Sequence, residues 1–212
     1  MSKTLLYGMR KDYSTEPLKK EAMNPDPIVQ FSDWFKQADA EESTEVNAVA
    51  LATTGIDMMP SVRMVLLKSF SEKGFVFFTN YLSKKGRQMA ENNRAALLFF
   101  WPGSARQIRI EGYTEKIDNE ESDRYFAERP AESRASAILS KQSEVLEDKV
   151  FFENETKRIA GTLQADKRPD HWGGYLLTPV SIEFWQGNLS RNHDRFLYSL
   201  ENGTWIIRQL YP

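Results

Sequence analysis

Two basic residues flank a short apolar segment and could bind an anion. Arg63 and Lys68 flank the apolar residues 64–67 on a predicted strand. Cations in an apolar strand are costly to bury unless an anion meets them. Strict alternation places residues five apart on opposite faces of a sheet, so the two would serve different anions unless a bulge shifts the register. Alternatively, both side chains reach water at the strand ends.

A second basic group lies at a predicted helix start. Ser83 is a candidate N-cap, and Lys84 and Lys85 follow it in the first turn. Helix N-termini bind anions through free N–H groups and the helix dipole. Positively charged lysines at this end are repelled by the helix dipole. A bound phosphate would offset that repulsion, so the two lysines favour an anion-binding site over an empty helix end. An exposed helix start with solvated lysines is the alternative.

A third group combines three kinds of phosphate ligand. Tyr125 and Arg129 are four residues apart on a predicted helix and share a face, and Pro130 then turns the chain toward Ser133. A phenol, a guanidinium and a hydroxyl can together bind a phosphate. An ordinary amphipathic helix face is the alternative.

The last group lies near the C-terminus. Trp185 is followed closely by Arg191, His193 and Arg195. These side chains could stack on a ring and bind an anion, although a lone histidine in a turn can also be simply solvated.

Several other chemistries find no support in the residues. The chain has no cysteine and two histidines, His171 and His193, without the spacing of metal ligands. It has no Gly-rich phosphate loop and no G-x-S-x-G elbow. We therefore expect no metal site, and we expect a bound phosphorylated cofactor to supply the chemistry.

Strands predominate among the predicted elements. Segments rich in β-branched or aromatic residues predict strands at 46–53, 61–70, 74–80, 95–101, 105–117, 175–177 and 180–186, and a hairpin at 195–200 and 204–210 turns at Asn202-Gly203 as type I′. Short turns between successive strands favour an antiparallel sheet or small barrel.

Helices flank these strands. An amphipathic helix is predicted from Ile28, Phe31, Trp34, Phe35 and Ala38, whose stripe we interpret as core packing, and a short helix at 83–92. Residues 118–163 are predicted to be helical, with Asp118 and Glu121 as a capping box and Ser143 as the cap of a second helix.

Composition predicts a globular protein of one main domain. The 212 residues include 41% hydrophobic and 27% charged residues, and the net charge is −2. We expect a flexible N-terminal arm at 1–27 and a single domain at 28–212. The small net charge argues against nucleic-acid binding, and no apolar stretch predicts a signal peptide or membrane helix, so we expect a cytoplasmic protein.

The order of these motifs resembles the pyridoxine/pyridoxamine 5′-phosphate oxidase family. The resemblance covers the chain from Arg10 to Pro212. It rests on the runs 63–68, Phe78-Thr79-Asn80 with Ser83-Lys84-Lys85, Lys141-Gln142-Ser143, Trp172-Gly173-Gly174, and Phe184-Trp185-Gln186-Gly187 through Arg191-Asn192-His193-Asp194-Arg195.

The resemblance implies a fold and a reaction. The fold would be mainly β with flanking helices, an antiparallel split β-barrel that binds FMN as a homodimer. The enzyme would oxidise the 4′ carbon of pyridoxine 5′-phosphate or pyridoxamine 5′-phosphate to give pyridoxal 5′-phosphate. A hydride would pass to flavin N5, and O₂ would reoxidise the flavin with release of H₂O₂.

The resemblance also implies roles for individual residues. Arg191 and His193 would be the catalytic residues, lying over the substrate ring. FMN would be bound by Arg63, Met64, Val65, Leu66, Leu67, Lys68, Phe78, Thr79, Lys84, Lys85, Gln107, Gln142, Ser143, Trp185 and Arg195. The substrate would be bound by Arg10, Tyr13, Lys68, Tyr125, Arg129, Ser133, Arg191, Asn192 and His193, with Lys68, Tyr125, Arg129 and Ser133 around its phosphate.

Three residues depart from the family pattern. Lys84 stands where arginine is frequent, Asn192 where leucine is usual, and Phe78 where tyrosine is frequent, which puts the strength of FMN binding in doubt. Three rival functions stay open: a flavin enzyme on the same barrel with another substrate, a non-catalytic protein that binds FMN or pyridoxal phosphate, and a purely structural module. The C-terminal motif argues against the first, a turnover assay tests the second, and the third would leave the buried cations unexplained.

Overall fold

The computed structural model describes residue 13 and the ranges 16–41 and 45–212. Within these ranges it contains five α-helices and eight β-strands. The helices are α1 (Pro27–Glu41), α2 (Lys84–Glu91), α3 (Asn119–Glu128), α4 (Ala131–Leu139) and α5 (Lys149–Ala160). The strands are β1 (Ala48–Thr54), β2 (Pro60–Ser71), β3 (Gly74–Asn80), β4 (Arg94–Trp101), β5 (Arg106–Lys116), β6 (Trp172–Gln186), β7 (Asp194–Glu201) and β8 (Thr204–Gln209).

The strands form an antiparallel barrel with an appended hairpin. Their order is β3-β2-β1-β4-β5-β6-β7-β8, and β3 also pairs with β6, so six strands close on themselves. The pairs β1–β2, β2–β3, β3–β6 and β7–β8 are all antiparallel. The prediction of a mainly β split barrel with flanking helices is therefore confirmed.

The chain divides into two compact units. The first, here called the barrel unit, comprises Asn47–Leu98 and Ile110–Val180. The second, here called the terminal unit, comprises Met1–Val46, Phe99–Arg109 and Ser181–Pro212. The division of the chain into an arm at 1–27 and a domain at 28–212 stays a prediction, and much of that arm lies outside the described residues.

The core of the barrel unit comes from alternating strand residues. In β1 every second side chain is buried, which is the pattern of a strand with one face toward a core. The fully buried side chains of this unit include Val49, Leu51, Phe75, Phe77, Leu97, Ile110 and Leu177.

The core of the terminal unit is aromatic. On α1, Phe31 packs against Phe99 with ring centroids 5.2 Å apart, and Trp34 packs edge-on against Phe184 at 5.2 Å. The Tyr198 ring contacts Phe184, and its hydroxyl donates to Asn24 O at 2.7 Å. The apolar stripe of α1 is therefore core packing, as its spacing predicts.

Two local predictions at turns are confirmed. Ser83 caps α2, because its Oγ accepts a hydrogen bond from Gly86 N at 3.2 Å. Asn202 and Gly203 have φ values of 49° and 79°, as the two central residues of a type I′ hairpin require. Among the described helices, none combines the length and apolar character needed to cross a bilayer.

Three other local predictions are wrong. Asp118 makes no side-chain capping bond, so there is no capping box at α3. Ser143 does not begin a helix, since its φ is 79°; α5 begins at Lys149, and Asp148 caps it by accepting from Phe151 N. Strands 175–177 and 180–186 are one strand, β6, because the residue before Pro179 is already extended and does not end it.

Candidate functional site

A large cavity in the barrel unit contains most of the predicted ligand-binding residues. Its volume is about 1030 Å³, in the upper range for a small-molecule site. The predicted residues that line it are Arg63, Met64, Val65, Leu66, Lys68, Phe78, Thr79, Lys84, Lys85, Tyr125, Arg129, Ser133, Gln142 and Ser143. Leu67 is instead buried in the core opposite Phe77.

A bulge in β2 brings Arg63 and Lys68 to the same cavity. Leu67 pairs with Phe77 and Ser69 pairs with Val76, so Lys68 is an inserted residue. Both cations line the cavity. The interpretation that places them on opposite faces is therefore wrong, and the bulge alternative holds.

Within the described ranges, Arg63 is anchored by neutral acceptors and not by a carboxylate. Its Nη1 donates to Leu51 O at 3.1 Å and to Thr53 Oγ1 at 2.5 Å, and its Nη2 donates to Gln88 Oε1 at 3.4 Å. Burial lowers the pKa of Arg63. Neutral acceptors fix this guanidinium in place but leave its charge uncompensated.

Lys85 is the most enclosed cation at the start of α2. The residue is only 8% exposed, and its Nζ donates to Thr79 Oγ1 at 3.1 Å, Ser83 Oγ at 3.3 Å and Gln142 Oε1 at 2.9 Å. Burial, and then the charge of Arg63, lower the pKa of Lys85 to about 8. Its neighbour Lys84 is exposed, and the Lys84 N–H donates to Ser143 Oγ at 3.1 Å. We call Arg63, Lys84 and Lys85 with their neutral neighbours the Lys85 cluster.

A second cationic group surrounds three stacked rings. Phe78 and Tyr125 stack with centroids 4.0 Å apart, and Trp172 stacks on Phe78 at 5.5 Å. The Arg129 guanidinium lies 4.7 Å above the Trp172 ring, and Lys68 Nζ lies 5.7 Å from the Tyr125 ring. We call these five residues the Arg129 cluster.

In the part of the chain that the structure describes, no carboxylate pairs with Arg129 either. Its Nη1 is buried and has no hydrogen-bond partner among the described residues. Burial lowers the pKa of Arg129, Tyr125 raises it in part, and Arg134 lowers it further. A buried donor without a partner is costly, so this atom is well suited to a ligand acceptor.

Aromatic side chains gather in the terminal unit around His193. The His193 ring lies 4.7 Å from Trp185, and Tyr13 contacts both rings edge-on, at 6.1 Å from Trp185 and 6.3 Å from His193. His193 Nδ1 accepts from Asn188 N at 3.1 Å, so the neutral ring carries its proton on Nε2. Nε2–H is then a hydrogen-bond donor that a substrate could use.

The turn that carries His193 is held by side chains. Asn188 Nδ2 donates to Asp194 Oδ2 at 2.6 Å and to Asn192 O at 3.2 Å, and Asp194 Oδ2 also accepts from Leu18 N at 2.7 Å. Arg191 is exposed with a φ of 61°.

Arg195 is paired, unlike the cations of the cavity. Its Nε donates to Glu183 Oε1 at 2.7 Å, and Arg109 Nη2 lies 2.8 Å from Glu183 Oε2. Glu183 is 3% exposed, and its hydrogen bond raises the pKa of Arg195. Gln107 is half-buried on β5, and Arg10 lies outside the described residues.

Sequence reasoning assigned no role to Trp172, Glu183 or Asn188. Glu183 lies between the apolar residues Ile182 and Phe184, and this isolated carboxylate is a signal of a buried ion pair. The turn clamp by Asn188 has no comparable signal. The described residues form no group of three or more His, Asp or Glu side chains that could hold a metal ion.

Comparisons with known proteins agree with the motifs. Residues 35–163 match the family model described as pyridoxamine 5′-phosphate oxidase, and residues 172–212 match the pyridoxine 5′-phosphate oxidase C-terminal dimerisation region. A protein of Nostoc punctiforme named pyridoxine/pyridoxamine 5′-phosphate oxidase is 49% identical, over 100% of both chains. One from Burkholderia mallei with the same name is 48% identical, over 99% of this chain and 100% of that protein.

Solved structures share the fold. PhzG from Burkholderia lata, in complex with tetrahydrophenazine-1-carboxylic acid, has a TM-score of 0.88 at 29% identity and covers 94% of this chain and 100% of its own. A pyridoxamine 5′-phosphate oxidase-related, FMN binding protein from Nostoc punctiforme has a TM-score of 0.69 at 16% identity, over 86% and 95% of the two chains, which supports the fold alone. The chain therefore belongs to the pyridoxamine 5′-phosphate oxidase family of oxidoreductases, which confirms the resemblance and the prediction that it is an enzyme.

Proposed function

We propose that this protein oxidises pyridoxine 5′-phosphate and pyridoxamine 5′-phosphate to pyridoxal 5′-phosphate, with FMN as cofactor and O₂ as oxidant. The observation that carries the proposal is the pair of cationic clusters in one cavity, the Lys85 cluster and the Arg129 cluster. Within the described residues, no carboxylate pairs with Arg63, Lys68, Lys85 or Arg129. Two uncompensated clusters suit two phosphates, one on the cofactor and one on the substrate.

The Lys85 cluster fits the phosphate of FMN. It combines the capped start of α2 with three cations and the side chains of Thr79, Gln142 and Ser143, so that charge and hydrogen-bond donors converge. Arg63, Lys84 and Lys85 would hold the phosphate. Bound FMN would supply the acceptor for two electrons from the substrate 4′ carbon, which O₂ would take up to give H₂O₂.

The Arg129 cluster fits the phosphate of the substrate. Arg129 Nη1 offers an unused donor, and Lys68, Tyr125 and Ser133 line the same cavity. An arginine can make two charge-assisted hydrogen bonds to one phosphate. This group would anchor the end of the substrate that does not react and so fix the position of its ring.

The family resemblance also assigns roles to the residues around His193. His193 Nε2–H is a donor, Trp185 offers an aromatic surface, and the exposed Arg191 offers a cation. We propose that Arg191 and His193 orient the substrate ring, and that Gln107, Trp185 and Arg195 contact FMN. Tyr13 packs on His193 and Trp185, which supports a role in enclosing the substrate.

We also propose that the protein is a homodimer in the cytoplasm. Residues 172–212 match the C-terminal dimerisation region of the family, and this match supports the assembly. Light scattering at assay concentration should give twice the 24.5 kDa chain mass. A monomer with full activity would contradict the assembly, and microscopy of a tagged chain would check the location.

A neighbouring fold suggests one competing substrate class. PhzG is structurally similar and was solved with a tricyclic carboxylic acid. The relatives that are 48–49% identical over the whole chain favour the phosphorylated substrates. The cavity agrees, because a phosphate dianion makes fuller use of several converging donors than a carboxylate does.

A turnover assay tests the proposal. Purified protein supplied with FMN is incubated aerobically with pyridoxine 5′-phosphate, and aldehyde product and H₂O₂ are measured together. Equal amounts of both are expected, with far slower turnover of unphosphorylated pyridoxine. Retention of FMN without any product would favour a binding protein, and preferential oxidation of a tetrahydrophenazine carboxylic acid would favour the PhzG-like alternative.

A further inference from the structure

The guanidinium of Arg129 is held by an aromatic face. Its carbon Cζ lies 4.7 Å from the centroid of the Trp172 ring, closer than the 5.9 Å that separates it from the Phe126 ring. No carboxylate pairs with Arg129 within the described part of the chain. Trp172 therefore provides the nearest aromatic contact to this cation.

Trp172 is itself rigidly placed. The residue is 6% exposed and pairs with Asn80 of β3. Its backbone N–H donates to Pro169 O at 3.0 Å, and its carbonyl accepts from Arg168 Nη1 at 2.6 Å. Arg168 is fixed in turn by Asp123, at 2.6 Å.

The Trp172 ring also continues the aromatic stack. It is inclined by 18° to the Phe78 ring and by 12° to the Tyr125 ring. Its stacking on these two rings and its fixed backbone leave the indole little freedom to move. The surface under Arg129 is therefore preformed.

We propose that Trp172 is a positioning residue for Arg129, an inference that rests on the proposed function. An aromatic face attracts a cation through the ring quadrupole, and tryptophan does so best. A carboxylate would instead occupy the N–H groups at the guanidinium edge. The indole holds Arg129 by its face and leaves those N–H groups free for the substrate phosphate.

The unpartnered Nη1 of Arg129 is the consequence of this arrangement. The role predicts an effect on substrates that carry a phosphate and no effect on FMN, whose phosphate the Lys85 cluster would hold. It also predicts a larger effect on KM than on kcat, since the phosphate does not change during the reaction and acts on kcat only through the position of the ring.

The test compares Trp172→Leu with Trp172→Phe, using pyridoxine 5′-phosphate and unphosphorylated pyridoxine. We expect Trp172→Leu to raise KM for the phosphorylated substrate about 3- to 30-fold, with kcat and the Kd for FMN within about twofold of wild type. Trp172→Phe keeps a smaller aromatic face and should recover part of the loss. The kcat/KM for pyridoxine should stay within about twofold, because that substrate has no phosphate.

Two controls separate positioning from general damage. Trp205→Leu removes a half-buried tryptophan of β8 in the terminal unit and should leave the KM ratio of the two substrates unchanged. In an Arg129→Ala background, Trp172→Leu should add little to KM, since the residue that it positions is gone. If Trp172→Leu does not fold, Trp172→Met is the second variant without an aromatic face, with the same expectations.

Each outcome has a defined reading. An unchanged KM in a folded Trp172→Leu or Trp172→Met variant overturns the inference, as does an equal loss for both substrates. Full additivity with Arg129→Ala also overturns it. Failure of wild-type protein to turn over pyridoxine 5′-phosphate is a separate result that overturns the proposed function, and the inference with it.

Discussion

The cations that line the cavity of the barrel unit and Arg195 of the terminal unit lie in different surroundings. In the barrel unit, Arg63, Lys85 and Arg129 contact neutral acceptors or an aromatic ring, and burial lowers the pKa of each. In the terminal unit, Arg195 is hydrogen-bonded to the buried carboxylate of Glu183, which raises its pKa. A lowered pKa thus marks the cations without a carboxylate partner, and a raised pKa marks the arginine that has one.

This difference distinguishes two uses of a cation. A buried cation without a carboxylate is unfavourable for folding, and a bound anion removes that penalty. A cation paired with a buried carboxylate is already compensated, so its first effect is to fix local geometry. Variants of the cavity cations Arg63, Lys85 and Arg129 should therefore change ligand binding, and variants of Glu183 should change stability.

The largest effect is expected for Arg129→Ala. Loss of its charge-assisted hydrogen bonds should weaken substrate binding by roughly 2–3 kcal/mol, a rise in KM of about 30- to 150-fold. Some loss of kcat is expected if the phosphate also sets the ring position. Steady-state kinetics with pyridoxine 5′-phosphate measure both quantities.

The control for Arg129→Ala is the content of FMN. Because the Lys85 cluster has its own cations, FMN released per chain should equal that of wild type. An unchanged KM would show that the substrate phosphate lies elsewhere, and a parallel loss of FMN would assign Arg129 to the cofactor.

Glu183→Gln should reduce stability more than ligand affinity. The amide keeps an acceptor but loses the negative charge that pairs with Arg195 and Arg109. The free energy of unfolding should therefore fall by about 1.5–3 kcal/mol. For a chain of this size, the Tm should fall by about 3–12 °C. Differential scanning calorimetry measures the shift.

The chain offers a matched control for Glu183→Gln. Glu201 pairs with Arg208 at 2.5 Å, but both side chains are about half exposed. An exposed pair contributes little, so Glu201→Gln should lower Tm by no more than about 4 °C. Equal shifts for the two variants would contradict the distinction between a buried and a surface pair.

A pH effect on FMN affinity should be smaller. Since the pKa of Lys85 is lowered to about 8 from the 10.5 of a free lysine, this side chain is charged below pH 8 and loses its proton above it. The second pKa of a phosphate is near 6, so the ligand charge is constant in this range. FMN affinity should therefore fall by up to about tenfold between pH 8 and 9.

The variant Lys85→Met tests this assignment. It should bind FMN more weakly at pH 7 and lose the pH dependence between 8 and 9, as followed by quenching of flavin fluorescence. The stability of the folded protein without FMN should change in the opposite direction. Between pH 8 and 10.5 Lys85 stays protonated in the unfolded chain but not in the folded one, so the free energy of unfolding should rise over that interval. A pH dependence that persists in Lys85→Met would assign the titration to another group.

Short-range patterns predicted the strands well and the site only in part. The predicted strand at 74–80 is β3 itself, and the hairpin at Asn202-Gly203 has the expected turn, because both depend on neighbouring residues. The polar region 118–163 has few periodic apolar residues, and there the prediction of a cap at Ser143 is wrong because Asp148 caps α5.

Long-range contacts explain what the sequence could not give. The bulge at Lys68 depends on how β2 pairs with β3, so strict alternation failed there. The partners of Glu183 come from β5 and β7, and the cation above Trp172 comes from the end of α3. None of these pairs is local in sequence. The resemblance supplied residue roles, whereas the structure supplied the contacts that place them.

The smallest effect is expected for Asn188→Ala, which loosens the turn around His193. The variant loses the side-chain bonds to Asp194 and Asn192 but keeps the backbone N–H that donates to His193 Nδ1. Loss of these bonds should reduce transition-state stabilisation by about 0.5–1.5 kcal/mol, so kcat/KM for pyridoxine 5′-phosphate should fall about 2- to 12-fold. FMN content should not change, because the Lys85 cluster is untouched. Asn154→Ala, on the exposed side of α5, is the matched control and should leave kcat/KM at the wild-type value. If both variants behave alike, the position of His193 does not depend on the Asn188 side chain.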